Sequence, residues 1–131
     1  MTYEQFISAV AERAGEPVDR AEALARATLS TLSDRLTRGE ADDVAAQLPK
    51  PLKEAMVAGQ PEAQPFGLEE FIRRVSDRAG VSIEEATRGA QAVMTTLREA
   101  ISDGEFKDMM AQLPEELSKL VDQTATPAGT S

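Results

Sequence analysis

The sequence predicts an all-α fold, a tandem duplication of a roughly 55-residue unit of three to four helices packed as one pseudo-symmetric domain. Three observations predict it. Sliding the chain against itself by 65 residues aligns Tyr3–Val57 with Leu68–Asp122 without a gap, and about 20 of the 55 positions are identical. Apolar residues recur at helical spacing in each copy. Alanine and leucine lead the apolar composition, and alanine loses no side-chain entropy on entering a helix. Leu, Ile, Val and Phe make only 27 of 131 residues, close to the roughly 20% level at which a charged chain tends toward disorder. Pattern, rather than apolar bulk, must therefore supply the order.

Helix one is expected over about Tyr3–Ala14, where Phe6, Ile7, Val10 and Ala14 form one stripe. Gly15, and Gly80 in the second copy, can adopt the left-handed conformation that closes a helix end, with Arg13 or Arg78 in the last turn. Helix two is expected over about Val18–Arg38 and Ile83–Asp103. Ser82 and Glu85 form a capping box at its second-copy start, and Pro17 takes the corresponding place in the first. Small residues such as Ala21, Ala25, Ala86, Gly89 and Ala90 should let another helix approach closely. Gly39 and Gly104 are expected to end helix two. A short helix three then runs to Leu48 or Leu113, where Pro49 and Pro114 break it. A fourth helix is expected to form better in copy two, Glu115–Val121, than in copy one, where Pro51 follows Pro49.

Copy one thus covers residues 1–57 and copy two residues 68–122. Residues 58–67 form an extended proline-containing linker with Phe66 as a pin, and the small, polar tail 123–131 is expected to be disordered. A unit of this size alone would bury only about 60% of its chain surface, so the copies should pack on one another.

The string Gly39-Glu40-Ala41-Asp42-Asp43-Val44-Ala45-Ala46-Gln47-Leu48-Pro49 resembles a bacterial domain family of unknown function. Gly104-Glu105, Asp108 and Gln112-Leu113-Pro114 look like a more divergent copy of the same motif. The resemblance implies an all-helical fold and brings no catalytic residue with it.

Composition excludes several chemistries. The chain has no His, Cys or Trp, which removes Cys or His nucleophile pairs, Ser-His-Asp triads and Cys/His zinc sites. There is no phosphate-cradling glycine motif. No catalytic residue and no cofactor is expected, and the protein is read as not an enzyme. The acidic residues Glu40, Asp42 and Asp43, with Asp103, Glu105 and Asp108, lack the spacing of a calcium loop and suit helix starts, so no metal site is expected. Gln47 and Gln112 should hydrogen-bond loose helix-end carbonyls, and Arg13 and Arg78 should serve as helix-end charges rather than anion ligands.

With 14 basic against 23 acidic residues the net charge is −9, and neither copy is basic. Direct nucleic-acid binding and adhesion to anionic membranes are disfavoured by that sign. The start of the chain has no signal-peptide pattern, and no stretch reaches the roughly 18 apolar residues of a membrane span, so a cytoplasmic protein is expected. Phe106, Met109 and Met110 form an apolar stripe that is core by first reading and a partner surface if exposed. The function expected from these residues is a non-catalytic protein-interaction module, monomeric, with a basic partner. The alternative is a small-ligand domain using an apolar cavity between the copies, lined by Phe6, Leu29, Phe71, Met94 and Met109.

Overall fold

The computed structural model describes residues 1–57 and 63–121. These residues are all-α, with α1 Tyr3–Ala14, α2 Val18–Arg35, α3 Arg38–Ala45, α4 Lys50–Val57, α5 Leu68–Ala79, α6 Ile83–Ala100 and α7 Asp103–Ala111. A 3₁₀ turn, Glu115–Leu117, follows, and residues 118–121 continue as helix. No strand occurs among the described residues.

The long helices α2 and α6 cross at the centre. Each first helix packs on both of them, α1 against α2 and α6, α5 against α6 and α2. The stripe Phe6, Ile7, Val10 and Ala14 is buried, as are its counterparts Phe71, Ile72 and Val75. Ala21, Ala25, Ala86 and Ala90 are also buried, which lets the helices approach closely. A single continuous core joins both halves. At one end of it α3 rests on α4 and meets α7.

Gly15 and Gly80 close α1 and α5 with φ of 67° and 69°, as their sequence positions predict. The second break lies elsewhere. Helix two ends at Arg35 and Ala100, before Gly39 and Gly104, and Leu36 and Ile101 turn extended to bury their side chains in the core. Thr37 and Ser102 then cap α3 and α7, each hydroxyl accepting the amide of the glutamate three residues on. Gly39 and Gly104 sit inside the first helical turn, without positive φ. The Thr-x-x-Glu and Ser-x-x-Glu signals outweigh the glycines because a cap satisfies an amide, whereas a glycine merely permits a break.

The fourth segment also differs from expectation. In the first half α4 is a regular helix, because Pro51 lies in its first turn, where no intrahelical donor is lost. In the second half the corresponding stretch starts as the tighter 3₁₀ turn. Of the connector, residues 63–67 are described and are not helical. There the Gln64 amide donates to the Asp34 carbonyl at 2.8 Å, and Phe66 lies under the Arg74 guanidinium at 4.0 Å. The rest of the connector, 58–62, and the tail expected to be disordered lie outside the described residues.

Candidate functional site

The site is built from two capped helix starts that face one another. In α1 and α6 the side chain at the third helical position reaches back to the N-cap amide, giving a reciprocal capping box: Thr2 with Gln5, Ser82 with Glu85. In α3 and α7 that back-bond is missing on the glutamate. The Thr37 amide donates instead to Gln112 Oε1 at 3.0 Å, and the Ser102 amide donates to Gln47 Oε1 at 2.7 Å. Each glutamine of the Gln-Leu-Pro motif therefore caps the helix of the opposite half. This corrects the expectation that Gln47 and Gln112 bind carbonyls at their own helix ends.

Displaced from the boxes, Glu40 and Glu105 come together where α3 meets α7. One carboxylate oxygen from each of Glu40, Asp43 and Glu105 lies within 4.8 Å of the others. Glu40 retains only 9% of its exposure. With both glutamates ionised, Glu40 Oε2 and Glu105 Oε2 are buried without a hydrogen-bond donor. Burial, a hydrogen bond shared with Glu105 and the charges of Glu105, Asp108 and Asp43 raise the Glu40 pKa to about 8. A single proton held between two close carboxyls relieves both the repulsion and the missing donor.

The surrounding motif residues hold this junction in place. Leu48 and Leu113 are buried, Pro49 and Pro114 half-buried, and Gly39 and Gly104 exposed on the first turns. Asp42, Asp43, Asp103 and Asp108 are exposed. Of the apolar stripe, Met109 is fully buried, the core position of the first reading, and so is no part of the candidate partner surface. Phe106 and Met110 are half-buried beside a groove of about 350 Å³, with Arg98 over the Phe106 ring at 5.9 Å.

The arginines are committed to internal partners. Arg13 donates to Thr96 at 2.8 Å and to Glu99 at 2.7 Å, while Arg78 donates to Thr31 at 3.0 Å and to Asp34 at 2.8 Å. Each pair of contacts maps onto the other by the 65-residue shift of the sequence. Asp34, almost fully buried, also receives Arg74 at 3.1 Å. Neither Arg13 nor Arg78 offers a free guanidinium to an anion.

A family model described as an uncharacterized conserved protein, DUF2267, matches residues 3–120. The chain belongs to the DUF2267 family. No curated protein matches it. The match to the DUF2267 model spans both halves described above and includes every residue of the carboxylate cluster. No helix among the described residues of this DUF2267 chain is long and apolar enough to cross a membrane.

Proposed function

We propose that this DUF2267 chain is a non-catalytic cytoplasmic interaction module made of two copies of one helical unit, whose acidic pole at the α3–α7 junction docks a cationic group. The observation that carries this reading is Glu40, nine-tenths buried with an oxygen lacking a donor and surrounded by Asp43, Glu105 and Asp108. Close carboxylates repel one another, and a cation from outside relieves that repulsion as a shared proton does.

The charge distribution supports the same reading. Arg13, Arg20, Arg73, Arg74, Arg78 and Arg88 are engaged in ion pairs within the chain, so their charge is used locally against a net −9. An excess of one sign steers encounter with the opposite sign and makes association salt-dependent. The duplication is supported by contacts that recur under the 65-residue shift, the two arginine sets and the two glutamine caps alike. Each half completes the other, so a second subunit is not required and a monomer is the expected state.

The cavity alternative gains no support. Phe6, Leu29, Phe71, Met94 and Met109 are fully buried in the shared core, and they line neither the Phe106 groove nor a groove of about 510 Å³ beside Ile83.

The test is parallel capture from native cytosol with the wild-type chain and Glu40→Gln/Glu105→Gln, eluted stepwise with salt. A stoichiometric protein that leaves the wild type at moderate salt and is absent from the variant is the expected result. Equal retention by both chains sinks the acidic-pole reading.

A further inference from the structure

We infer that the groove between α5 and the start of α6 docks a cationic amphipathic helix of a partner protein, with Ile72 and Ile83 as its apolar floor and Glu69 and Glu84 as its acidic rim. This surface goes beyond the acidic pole proposed above. Ile83 opens α6, and α7 follows the far end of that helix, about 25 Å away along its axis.

The groove has a volume of about 510 Å³ and is lined by Glu69, Glu70, Ile72, Arg73, Ile83 and Thr87. Ile83 is one of three large apolar side chains left exposed among the described residues, at 53%, and a second, Val18, is its counterpart 65 residues earlier. Both copies thus present an aliphatic residue to solvent at the same place. What differs is the space beside it. In the first half the Tyr3 hydroxyl donates to the Glu22 carboxylate and straps α1 to α2. The corresponding residues of the second half, Leu68 and Thr87, cannot form that strap, and the Thr87 hydroxyl donates instead to the Ile83 carbonyl of its own helix at 2.8 Å.

Charge decides the occupant. Arg73, the cation in the lining, already donates to Glu70 at 2.6 Å and to Asp77 at 2.9 Å. Glu69 lines the groove and Glu84 adjoins Ile83; both are exposed, and neither is in an ion pair among the described residues. Two uncommitted carboxylates beside an aliphatic floor call for lysine or arginine flanking an apolar anchor. The same charges oppose an anionic membrane surface. Ile83, standing half out of the groove, suits the apolar stripe of a helix better than a small molecule, of which a pocket buries about 70–90%.

The test is NMR titration of the isotope-labelled full-length chain with a synthetic amidated helical peptide of about 18 residues, leucines along one face and lysines beside them. Saturable shifts are expected at the amides of residues 69–73 and 83–87. Two control peptides, one with glutamate for lysine and one scrambled so that the leucines share no face, are expected to bind at least about tenfold more weakly. Ile83 is exposed, so Ile83→Ser is expected to keep the wild-type far-UV spectrum while weakening binding about fivefold. Glu69→Gln/Glu84→Gln should reduce the salt dependence of binding, and Glu40→Gln/Glu105→Gln should bind the peptide as the wild type does. No saturable shift, shifts centred elsewhere, equal binding of either control peptide, or equal binding by Ile83→Ser overturns the groove. An unchanged salt dependence in Glu69→Gln/Glu84→Gln overturns the cationic character of its occupant. If Glu40→Gln/Glu105→Gln loses the peptide while Ile83→Ser keeps it, the acidic pole is the docking surface and the groove is not. If the peptide stays on the groove while Glu40→Gln/Glu105→Gln retains every cytosolic partner, the acidic-pole reading falls and the groove stands.

Discussion

Gly89 lies directly against Leu24 where α6 crosses α2. A β-carbon on Gly89 would stand 2.5 and 2.8 Å from the Leu24 methyl groups and 2.9 Å from its Cγ. Leu24 is fully buried, so its side chain has no open side to turn toward. The two residues occupy corresponding places under the 65-residue shift, one large and one absent, and the crossing is close because they differ.

Gly89→Ala is therefore expected to destabilise the chain by about 1–3 kcal/mol through overpacking, even though alanine is the better helix former by about 1 kcal/mol. Leu24→Ala alone should cost about 2–5 kcal/mol. Urea melts of the double variant should give a loss smaller than the sum of the two single losses. Strict additivity would mean that the crossing relaxes and the contact does not limit it.

Asp34 and Glu99 hold corresponding arginines in different surroundings. The Asp34 carboxylate is almost fully buried between Arg74 and Arg78, whereas the Glu99 side chain is half exposed. Asp34→Ala takes the buried carboxylate from both arginines, which keep Glu70 and Thr31 as partners, and is expected to cost about 1.5–3 kcal/mol. Glu99→Ala should cost about 0–1 kcal/mol. Thermal denaturation of the two variants side by side checks the contrast.

Loss of either glutamine cap should loosen the helix start it serves. Gln112→Ala is expected to cost about 1 kcal/mol, in the range of other cap removals, and to speed hydrogen exchange at the Thr37 amide. Gln47→Ala should do the same at Ser102. An unchanged exchange rate at these two amides would show that the caps contribute nothing in solution.

Glu40 gives the chain an alkaline sensitivity. Its pKa is raised in the folded state from 4.5 to about 8, so between those values the folded chain holds a proton that the unfolded chain releases. That contribution is full below about pH 4.5 and is lost as pH rises through about 8. Tm should accordingly fall by several degrees from pH 5.5 to pH 9, and Glu40→Gln should remove most of that fall. A slope unaffected by the substitution would assign the sensitivity to other groups.

Much of this was readable from the chain. The helical stripes, the stops at Gly15 and Gly80 and the Ser82 capping box depend on neighbours within a turn or two, and local rules describe them well. The caps at Thr37 and Ser102 fall two residues before the glycines at which the sequence predicts the break. The cluster itself was not visible. In sequence Glu40 and Glu105 are ordinary first-turn acids, each well placed beside a helix dipole.

The sequence by itself determined that the chain is helical, where the first helices stop, and that its charge is strongly negative, because these follow from short-range spacing and from counting. Only the tertiary structure decided that Gln47 and Gln112 would take the amides left at Ser102 and Thr37, that Leu24 would fill the space over Gly89, and that two glutamates 65 residues apart would share one buried place. The physical reason is that a backbone amide accepts whichever oxygen the packing brings to it. Packing brought a glutamine from the other half and left the nearby glutamate free.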